Sequence, residues 1–223
     1  MTFPEHCVII LTVLGHGPSE QTREPRKDRR TERRDATKAE ILDAAWGLVR
    51  EHGLAALSLR DLAARVGMRA PSLYQYFASK HAIYDAMFEQ GTRAALEYVT
   101  ADIESDDTRE VLRTVAVRMF EFTTSDPART QLLFQRTIPG FEPTPSAYAP
   151  AVEMVERAHA MLTEQGITDP DAMDLWTALI SGLTSQQIAN DPGGTRWARL
   201  IDRSVDMFIA EMAPATPPRK KGT

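Results

Sequence analysis

Residues 69–76 hold the side chains whose chemistry and spacing point most clearly to a function in this sequence of 223 residues. The guanidinium, hydroxyl and amide groups in this stretch can hydrogen-bond to the edges of nucleic-acid bases and to phosphates. Leu73 and Phe77, which are four residues apart, should face inward if the stretch is helical. That helix would leave four polar side chains nearer the outer surface: Arg69, Ser72, Gln75 and Tyr76.

Two short helices are needed to position these side chains, and residues 58–80 predict both of them. Ser58 can cap the first helix, with Asp61 completing a capping box, and Gly67 suits a sharp turn that needs a positive φ. Pro71 fits only the first turn of the second helix. The pattern predicts a helix-turn-helix, which places its second helix in the DNA major groove; the alternative is an ordinary helical hairpin. The apolar face of the first helix consists of Leu59, Leu62, Ala63 and Val66.

The wider pattern from Thr37 to Lys80 resembles the DNA-binding domain of TetR/AcrR-family transcriptional regulators. The resemblance implies an all-α fold of about nine helices, in which an N-terminal helix-turn-helix DNA-binding domain is followed by a C-terminal helical ligand-binding and dimerisation domain. Residues 37–52 would form the supporting first helix and residues 69–76 the recognition helix. The residues that carry the resemblance are Ile41-Leu-Asp-Ala-Ala45, Gly53, Ser58-Leu-Arg-Asp-Leu-Ala63, Val66-Gly67, Leu73-Tyr74, Tyr76-Phe77 and Lys80.

The same resemblance implies which residues contact a double-stranded DNA operator. Arg60 is expected at the operator, and Tyr74 and Lys80 are expected at phosphates. Arg69 stands where the family often has Ser or Thr as the cap of the recognition helix, so we expect it to reach a phosphate or a guanine edge instead. The full predicted DNA-binding set is Ser58, Arg60, Arg69, Ala70, Pro71, Ser72, Tyr74, Gln75, Tyr76 and Lys80.

Charge is distributed unevenly along the chain, whose formal net charge is −5. Thirteen Lys and Arg stand against ten Asp and Glu from Arg23 to Glu89, whereas ten stand against nineteen from Arg93 to Glu211. A basic N-terminal third on an acidic body favours one DNA-facing end. The strongest local excess predicts a basic arm that follows phosphates or enters the minor groove, unless it is a solvated leader. It consists of Arg23, Arg26, Lys27, Arg29, Arg30, Arg33 and Arg34.

The chain is predicted to divide into four parts. Residues 1–22 include the apolar stretch 8–14, which is too short for a membrane span of roughly 20 residues, so we interpret them as an extension outside the folded domains. A cytoplasmic protein without a membrane partner is therefore expected, and the single Cys7 excludes an intramolecular disulfide and a cysteine metal cluster. The four parts are a disordered extension with the basic arm at 1–34, the helix-turn-helix domain at 35–82, the helical regulatory and dimerisation domain at 83–213, and a disordered tail at 214–223.

Helix signals continue through the regulatory part. A fourth helix is expected from about Lys80 to Asp102, and five more are predicted from their N-caps, with the last ending near Met212. These caps are Asp107 followed by Glu110, Asp126-Pro127, Thr144-Pro145, Asp169-Pro170, and Thr195 after Gly193-Gly194.

The last two predicted helices carry a signal for assembly. Apolar residues of the last helix cover an arc of roughly 200°, which is wider than one packing face requires. A symmetric four-helix homodimer interface from residues 170–190 and 195–212 is therefore predicted, as the resemblance also implies; the alternative is a core within one chain. Its members would be Leu175, Leu179, Gly182, Gln186, Trp197, Leu200, Ile201, Val205, Phe208 and Met212.

A small-molecule effector is expected between the C-terminal helices, because the resemblance implies a ligand there that shifts the fourth helix. Apolar side chains in this region favour a hydrophobic or aromatic effector. Residues 138–150 are predicted to be a mobile loop that gates the entrance. The predicted pocket residues are Met119, Phe120, Phe122, Phe134, Phe141, Met154 and Trp176.

Two other functions fit parts of the sequence. Asp106, Asp107 and Glu110 superficially resemble the magnesium motif of all-α terpene synthases, but a helix cap explains them and no other catalytic motif accompanies them. A protein that coats DNA without sequence preference is disfavoured by the acidic body. We therefore predict a transcriptional regulator without enzymatic activity, metal or cofactor. By the resemblance it would be a repressor that binds a palindromic operator as a homodimer.

Overall fold

A computed structural model describes residues 29–212, and the regular structure in this range is entirely helical. Two 3₁₀ turns, at Leu54–Ala56 and Ala198–Leu200, accompany nine α-helices. No helix within residues 29–212 has the length and apolar character needed to cross a membrane. The α-helices are α1 (Arg29–His52), α2 (Leu59–Arg65), α3 (Ala70–Leu73), α4 (Lys80–Val99), α5 (Thr108–Ser125), α6 (Pro127–Phe134), α7 (Pro145–Glu164), α8 (Ala172–Asn190) and α9 (Ile201–Met212).

The first helix begins at Arg29, so the expected start at residue 37 is wrong and residues 29–34 of the predicted arm are helical. Arg and Glu are good helix formers, and the sequence between residues 29 and 37 contains no glycine or proline to end a helix. The hydroxyl of Thr37 donates to the carbonyl of Arg33 at 3.0 Å, within this added part of the helix. The predictions for residues 1–28 and 213–223, including Cys7 and the rest of the arm, lie outside the described residues.

Four of the predicted N-caps are confirmed by hydrogen bonds from the backbone N–H three residues later. Their side chains accept at distances between 2.8 and 3.4 Å, which satisfies one of the free N–H groups at each helix start. Pro127 and Pro145 stand in the first turns of their helices, as predicted. The four caps are Ser58 for α2, Asp107 for α5, Asp126 for α6 and Thr144 for α7.

Two predicted helix starts are wrong. Helix α8 begins at Ala172 after Asp171, because the carboxylate of Asp169 accepts from the N–H of Asp171 at 2.8 Å and forms a local turn instead of a cap. Near the last helix, the carboxylate of Asp191 accepts from the N–H of Arg196 at 2.8 Å. This turn and the 3₁₀ turn that follows it delay α9 to residue 201.

The helices bury two apolar cores, and α4 belongs to the first of them and contacts α5 of the second. The first core joins α1, α2 and α3 to the first half of α4 and to single residues of α6 and α7; the second joins α5, α8 and α9 to the end of α7. Ile83, Tyr84 and Met87 of α4 are at most 1% exposed in the first core. The first core therefore continues past the domain boundary predicted at residue 82.

Candidate functional site

The helix-turn-helix is formed by α2, a turn at Gly67 and the short helix α3. Gly67 adopts a φ of +67°, a conformation that other residues rarely take, and the N–H of Met68 returns to the carbonyl of Ala63 at 2.8 Å. Leu73 and Phe77 are buried in the first core, as the sequence predicts. These contacts fix α3 against α2 and leave its other side in solvent.

The predicted recognition helix at 69–76 is shorter in the structure. Arg69 is the extended residue before α3, and within residues 29–212 its side chain makes no capping hydrogen bond. After Leu73 the chain tightens, because Gln75 and Tyr76 donate their N–H groups to carbonyls three residues earlier at 3.2 and 2.9 Å. The recognition element thus consists of one helical turn and a second, tighter turn.

The ten predicted DNA-binding residues are all accessible to some degree. Tyr74 is 55% exposed, which is a large exposure for an aromatic side chain. The exposed members are Arg60, Arg69, Pro71, Tyr74 and Gln75, and the half-buried members are Ser58, Ala70, Ser72, Tyr76 and Lys80.

The basic start of α1 lies beside the recognition element, a contact that the sequence analysis missed. The guanidinium of Arg34 donates to the carbonyl of Gln75 at 2.7 Å and lies 5.5 Å from the centre of the Tyr76 ring. One turn later, the ammonium of Lys38 lies 5.8 Å from the ring of Phe77. The spacing of Arg30, Arg34 and Lys38, four residues apart, is the sequence signal for this basic stripe on one helix face.

Lys80 and Tyr84 hold the 3₁₀ turn at 54–56 against the start of α4. The ammonium of Lys80 donates to the carbonyl of Ala55 at 3.2 Å and lies 5.4 Å from the Tyr84 ring. The Tyr84 hydroxyl donates to the carbonyl of Leu54, and burial raises the pKa of Tyr84 to about 12. The phenol therefore keeps its proton at neutral pH and can hold this contact.

A cavity of about 680 Å³ lies among α4, α5, α6, α7 and α8. Four predicted pocket residues line it, namely Met119, Phe134, Met154 and Trp176. Sequence reasoning missed other lining residues, among them Phe88, Tyr148 and four buried threonines: Thr92, Thr123, Thr130 and Thr184. Threonines within apolar helix faces are the sequence signal that could have identified them.

The other three predicted pocket residues lie elsewhere, and their assignment to the cavity wall is wrong. Phe120 is buried in the second core. Phe122 packs under the guanidinium of Arg129, whose carbon lies 3.8 Å from the ring centre. Phe141 contacts Tyr84, with ring centres 5.6 Å apart, and so belongs to the first core.

The predicted gating loop at 138–150 is wrong in its extent. Residues 145–150 form the first turns of α7. Ile138 and Phe141 pack against the first core instead of covering the cavity. The loop ends at Thr144, whose N–H and hydroxyl both donate to the carboxylate of Asp85 on α4.

The predicted dimer residues divide into buried and accessible groups. Ile201, Val205 and Phe208 are at most 5% exposed within one chain, so their assignment to an interface is wrong: they pack on α5 and α8 instead of facing a partner. Met207, which is not in the predicted interface set, is 58% exposed and lies seven residues after Leu200. The accessible members are Leu175, Leu179, Gly182, Gln186, Trp197, Leu200 and Met212.

Comparison with known proteins identifies the helix-turn-helix. Residues 41–87 match the family model described as "Bacterial regulatory proteins, tetR family". The chain is 29% identical over 157 residues to the HTH-type transcriptional repressor Rv1353c of Mycobacterium tuberculosis, covering 70% of this chain and 58% of that protein. It is 31% identical over 109 residues to the HTH-type transcriptional activator FasR of Mycolicibacterium smegmatis, covering 46% of this chain and 47% of FasR. The chain therefore spans less than two thirds of the length of either relative.

The fold is similar to that of solved structures. One is TetR-Q116A from Acinetobacter baumannii AYE in complex with minocycline, which is 23% identical and matches with a TM-score of 0.56 over 78% of this chain and 94% of that one. The family model covers the helix-turn-helix, and the fold similarity extends to the helices behind it. Residues 41–87 therefore belong to the TetR family of bacterial regulatory proteins, and the helices behind them share the fold of the solved structure.

Proposed function

We propose that this protein is a cytoplasmic, sequence-specific transcriptional regulator that presents the recognition element at 69–76 to DNA. The observation that carries the proposal is that Leu73 and Phe77 are buried, whereas Arg69, Tyr74 and Gln75 of the same element are exposed. The core holds the element rigidly, and the accessible guanidinium, amide and phenol can hydrogen-bond to base edges and phosphates.

The basic stripe of Arg30, Arg34 and Lys38 also favours DNA binding at the surface of the recognition element. Arg34 and Lys38 lie near the rings of Tyr76 and Phe77, so positive charge lies beside the recognition element. Such charge adds affinity for phosphates of any sequence, whereas the residues of the element supply the choice of sequence.

Two such elements on a two-fold axis would contact a palindromic operator. A small-residue stripe of α8 is exposed in the single chain and permits close approach of a partner helix: Ala178, Ser181, Gly182, Ser185 and Ala189. We propose that this stripe, Leu175, Leu179 and Gln186 of α8, and the exposed side of Leu200 and Met207 form the homodimer interface. This arrangement predicts half-sites centred about 34–36 Å apart, or multiples of that distance.

Helix α4 is the element through which a ligand in the cavity would release DNA. Its first half lies in the core that holds the recognition element, and Phe88, Thr92 and Val99 line the cavity. A ligand that displaces α4 would therefore change the position of the recognition element. The TetR-Q116A complex contains minocycline, which supports a small-molecule effector of this kind here. We assign repression because the relative named a repressor matches the larger share of this chain.

An enzyme using Asp106, Asp107 and Glu110 is disfavoured by their contacts. The carboxylate of Asp107 caps α5, and Glu110 accepts from the hydroxyl of Ser105 at 2.7 Å. Both carboxylates are engaged in hydrogen bonds at the start of α5, so they are not directed together at one metal position.

Selection of bound duplexes from a randomised DNA library tests the proposed function. The purified protein should enrich a short inverted repeat, and the enrichment should be lost on Tyr74→Ala. An enriched pool without a common motif would refute sequence-specific regulation and favour the alternative of non-specific DNA coating.

A further inference from the structure

The buried polar residues of the cavity lining are four threonines that belong to four different helices. Thr92 of α4, Thr123 of α5, Thr130 of α6 and Thr184 of α8 are between 3 and 5% exposed. A hydroxyl has one proton to donate and two lone pairs that can accept. The partner of each proton therefore decides what the cavity wall can offer to a ligand.

Three of these protons are held by backbone carbonyls. Thr92 donates to the carbonyl of Phe88 at 2.8 Å, and Thr130 donates to the carbonyl of Thr123 at 2.6 Å. Thr123 donates to the carbonyl of Met119 at 2.7 Å. Each of these hydroxyls is left with lone pairs and no proton to give.

The proton of the fourth threonine, Thr184, is held by the hydroxyl oxygen of Thr123. The hydroxyls of Thr184 and Thr123 are 3.1 Å apart. Because the proton of Thr123 is held by the carbonyl of Met119, Thr184 must be the donor in this pair. The buried hydroxyls of the cavity thus present acceptors only, with Thr184 at the end of the chain of bonds.

The charged residues of the lining lie at the exposed edge of the cavity. They are Asp102, Arg157 and Glu164. The guanidinium of Arg157 is already held by Glu153 at 2.5 Å and by the hydroxyl of Thr100 at 3.0 Å. A charged ligand group in the buried part would lose its hydration without gaining an opposite charge.

We propose that the cavity takes an uncharged, largely apolar molecule that carries a hydroxyl or N–H donor, and that it excludes carboxylic acids. The volume of about 680 Å³ falls within the range of small-molecule sites. The inference rests on the proposed function, since it names the chemical class of the effector that would release DNA. A hydrogen-bond donor on the ligand would bond to the hydroxyl oxygens of the four buried threonines, which together form an acceptor wall. The most available of these acceptors is the oxygen of Thr184, at the end of the chain of bonds.

Three ligands with one alkyl chain separate the parts of this proposal: decanol, decyl methyl ether and decanoate. Calorimetric titration of the full protein should give the tightest binding for decanol. The ether, which lacks a donor, should bind about fivefold more weakly, and decanoate should bind at least about tenfold more weakly. Equal affinity for decanol and the ether, or tighter binding of decanoate, would overturn the proposal.

Two substitutions test the assignment of the protons. Thr184→Val removes the acceptor at the end of the chain of bonds without stranding a donor, and should reduce the preference for decanol over the ether. Thr123→Val removes the acceptor of Thr184, whose freed proton should move the preference towards the ether. Thr163→Val is the matched control, because Thr163 lies on exposed α7 surface and donates to the carbonyl of His159 at 2.9 Å. An unchanged preference in both cavity variants would contradict the acceptor wall.

DNA affinity of the same preparations, measured without ligand, separates this inference from the proposed function. Specific DNA binding with no binding of any of the three ligands would refute the inference alone. Ligand binding with the predicted order but no specific DNA binding would refute the proposed function alone.

Discussion

The carboxylate of Asp85 accepts two hydrogen bonds from Thr144, one from the backbone N–H at 2.7 Å and one from the hydroxyl at 2.8 Å. Thr144 is also the N-cap of α7, since its hydroxyl oxygen accepts from the N–H of Ala147 at 3.3 Å. One side chain of α4 thus orients the cap of the helix that supplies Tyr148 and Met154 to the cavity wall. We propose that this contact couples the cavity to α4, the helix that follows the recognition element.

Replacing Asp85 should weaken this coupling more than it weakens the fold. Asp85→Ala removes both acceptor oxygens at a half-exposed site, so we expect a loss of about 1 kcal/mol in the free energy of unfolding. The ligand concentration needed to release DNA should rise severalfold, because α7 can move without α4. Thr144→Ser keeps the cap and both donors and should leave release unchanged. Release that is identical in Asp85→Ala and wild type would show that coupling takes another route.

The ion pair between Arg50 and Asp126 joins α1 to α6. The guanidinium nitrogen lies 2.8 Å from the carboxylate of Asp126, which is buried and also caps α6. Asp126→Ala removes the cap and the partner of Arg50, so we expect a loss of about 2–3 kcal/mol in stability. Asp126→Asn keeps the cap and loses the charge, so it should cost about half as much. Urea unfolding measures both, and equal losses in the two variants would show that the cap adds nothing.

The buried phenol of Tyr84 makes stability dependent on pH in the alkaline range. Its pKa of about 12 lies above the ordinary value of 10.0, so the folded state holds the proton more tightly than the unfolded state does. The resulting stabilisation is complete below the unfolded pKa and is lost as the pH rises from about 10 towards about 12. Between these pH values, the free energy of unfolding of Tyr84→Phe should fall by up to about 2 kcal/mol less than that of wild type.

Unfolding free energies of wild type and Tyr84→Phe at several alkaline pH values check this prediction. Tyr74→Phe is the control, because Tyr74 is 55% exposed. The difference between wild type and Tyr84→Phe should shrink as the pH rises. A constant difference would mean that Tyr84 does not ionise on unfolding in this range.

The dimer interface is tested by a charge on α8. A Cβ at Gly182 would meet nothing within 4 Å in the single chain, so Gly182→Arg leaves the fold of the chain intact. We expect this variant to be monomeric by light scattering at micromolar concentration and to lose most of its operator affinity. Ala160→Arg, on the exposed surface of α7, should stay dimeric. A dimeric Gly182→Arg would place the interface elsewhere.

Local hydrogen bonds explain which parts of the fold could be predicted. The caps at Ser58, Asp107 and Thr144 depend on residues three positions away, so the sequence contains all that is needed. Asp169 and Asp171 compete for one helix start, and the choice depends on how the chain enters the second core. Short-range patterns cannot settle that choice.

Packing partners explain the errors. Ile201, Val205 and Phe208 share an apolar face, and the sequence shows that the face is covered without showing whether α5 or a second chain covers it. Phe141 lies in a proline-rich loop without periodicity, so its packing on Tyr84 cannot be read from spacing. The contact between Asp85 and Thr144 joins residues that only the tertiary fold brings together.

The ratio of affinities for the selected inverted repeat and for random duplex, measured at roughly physiological salt, tests the central claim most directly. Wild type should prefer the repeat by roughly 10³-fold or more, and Gln75→Ala should lower that ratio at least about tenfold while leaving affinity for random duplex unchanged. Gln131→Ala, an exposed glutamine of α6, should behave as wild type. Equal affinity of wild type for the two duplexes, or a ratio unaffected by Gln75→Ala and Arg69→Ala, would contradict DNA recognition through residues 69–76.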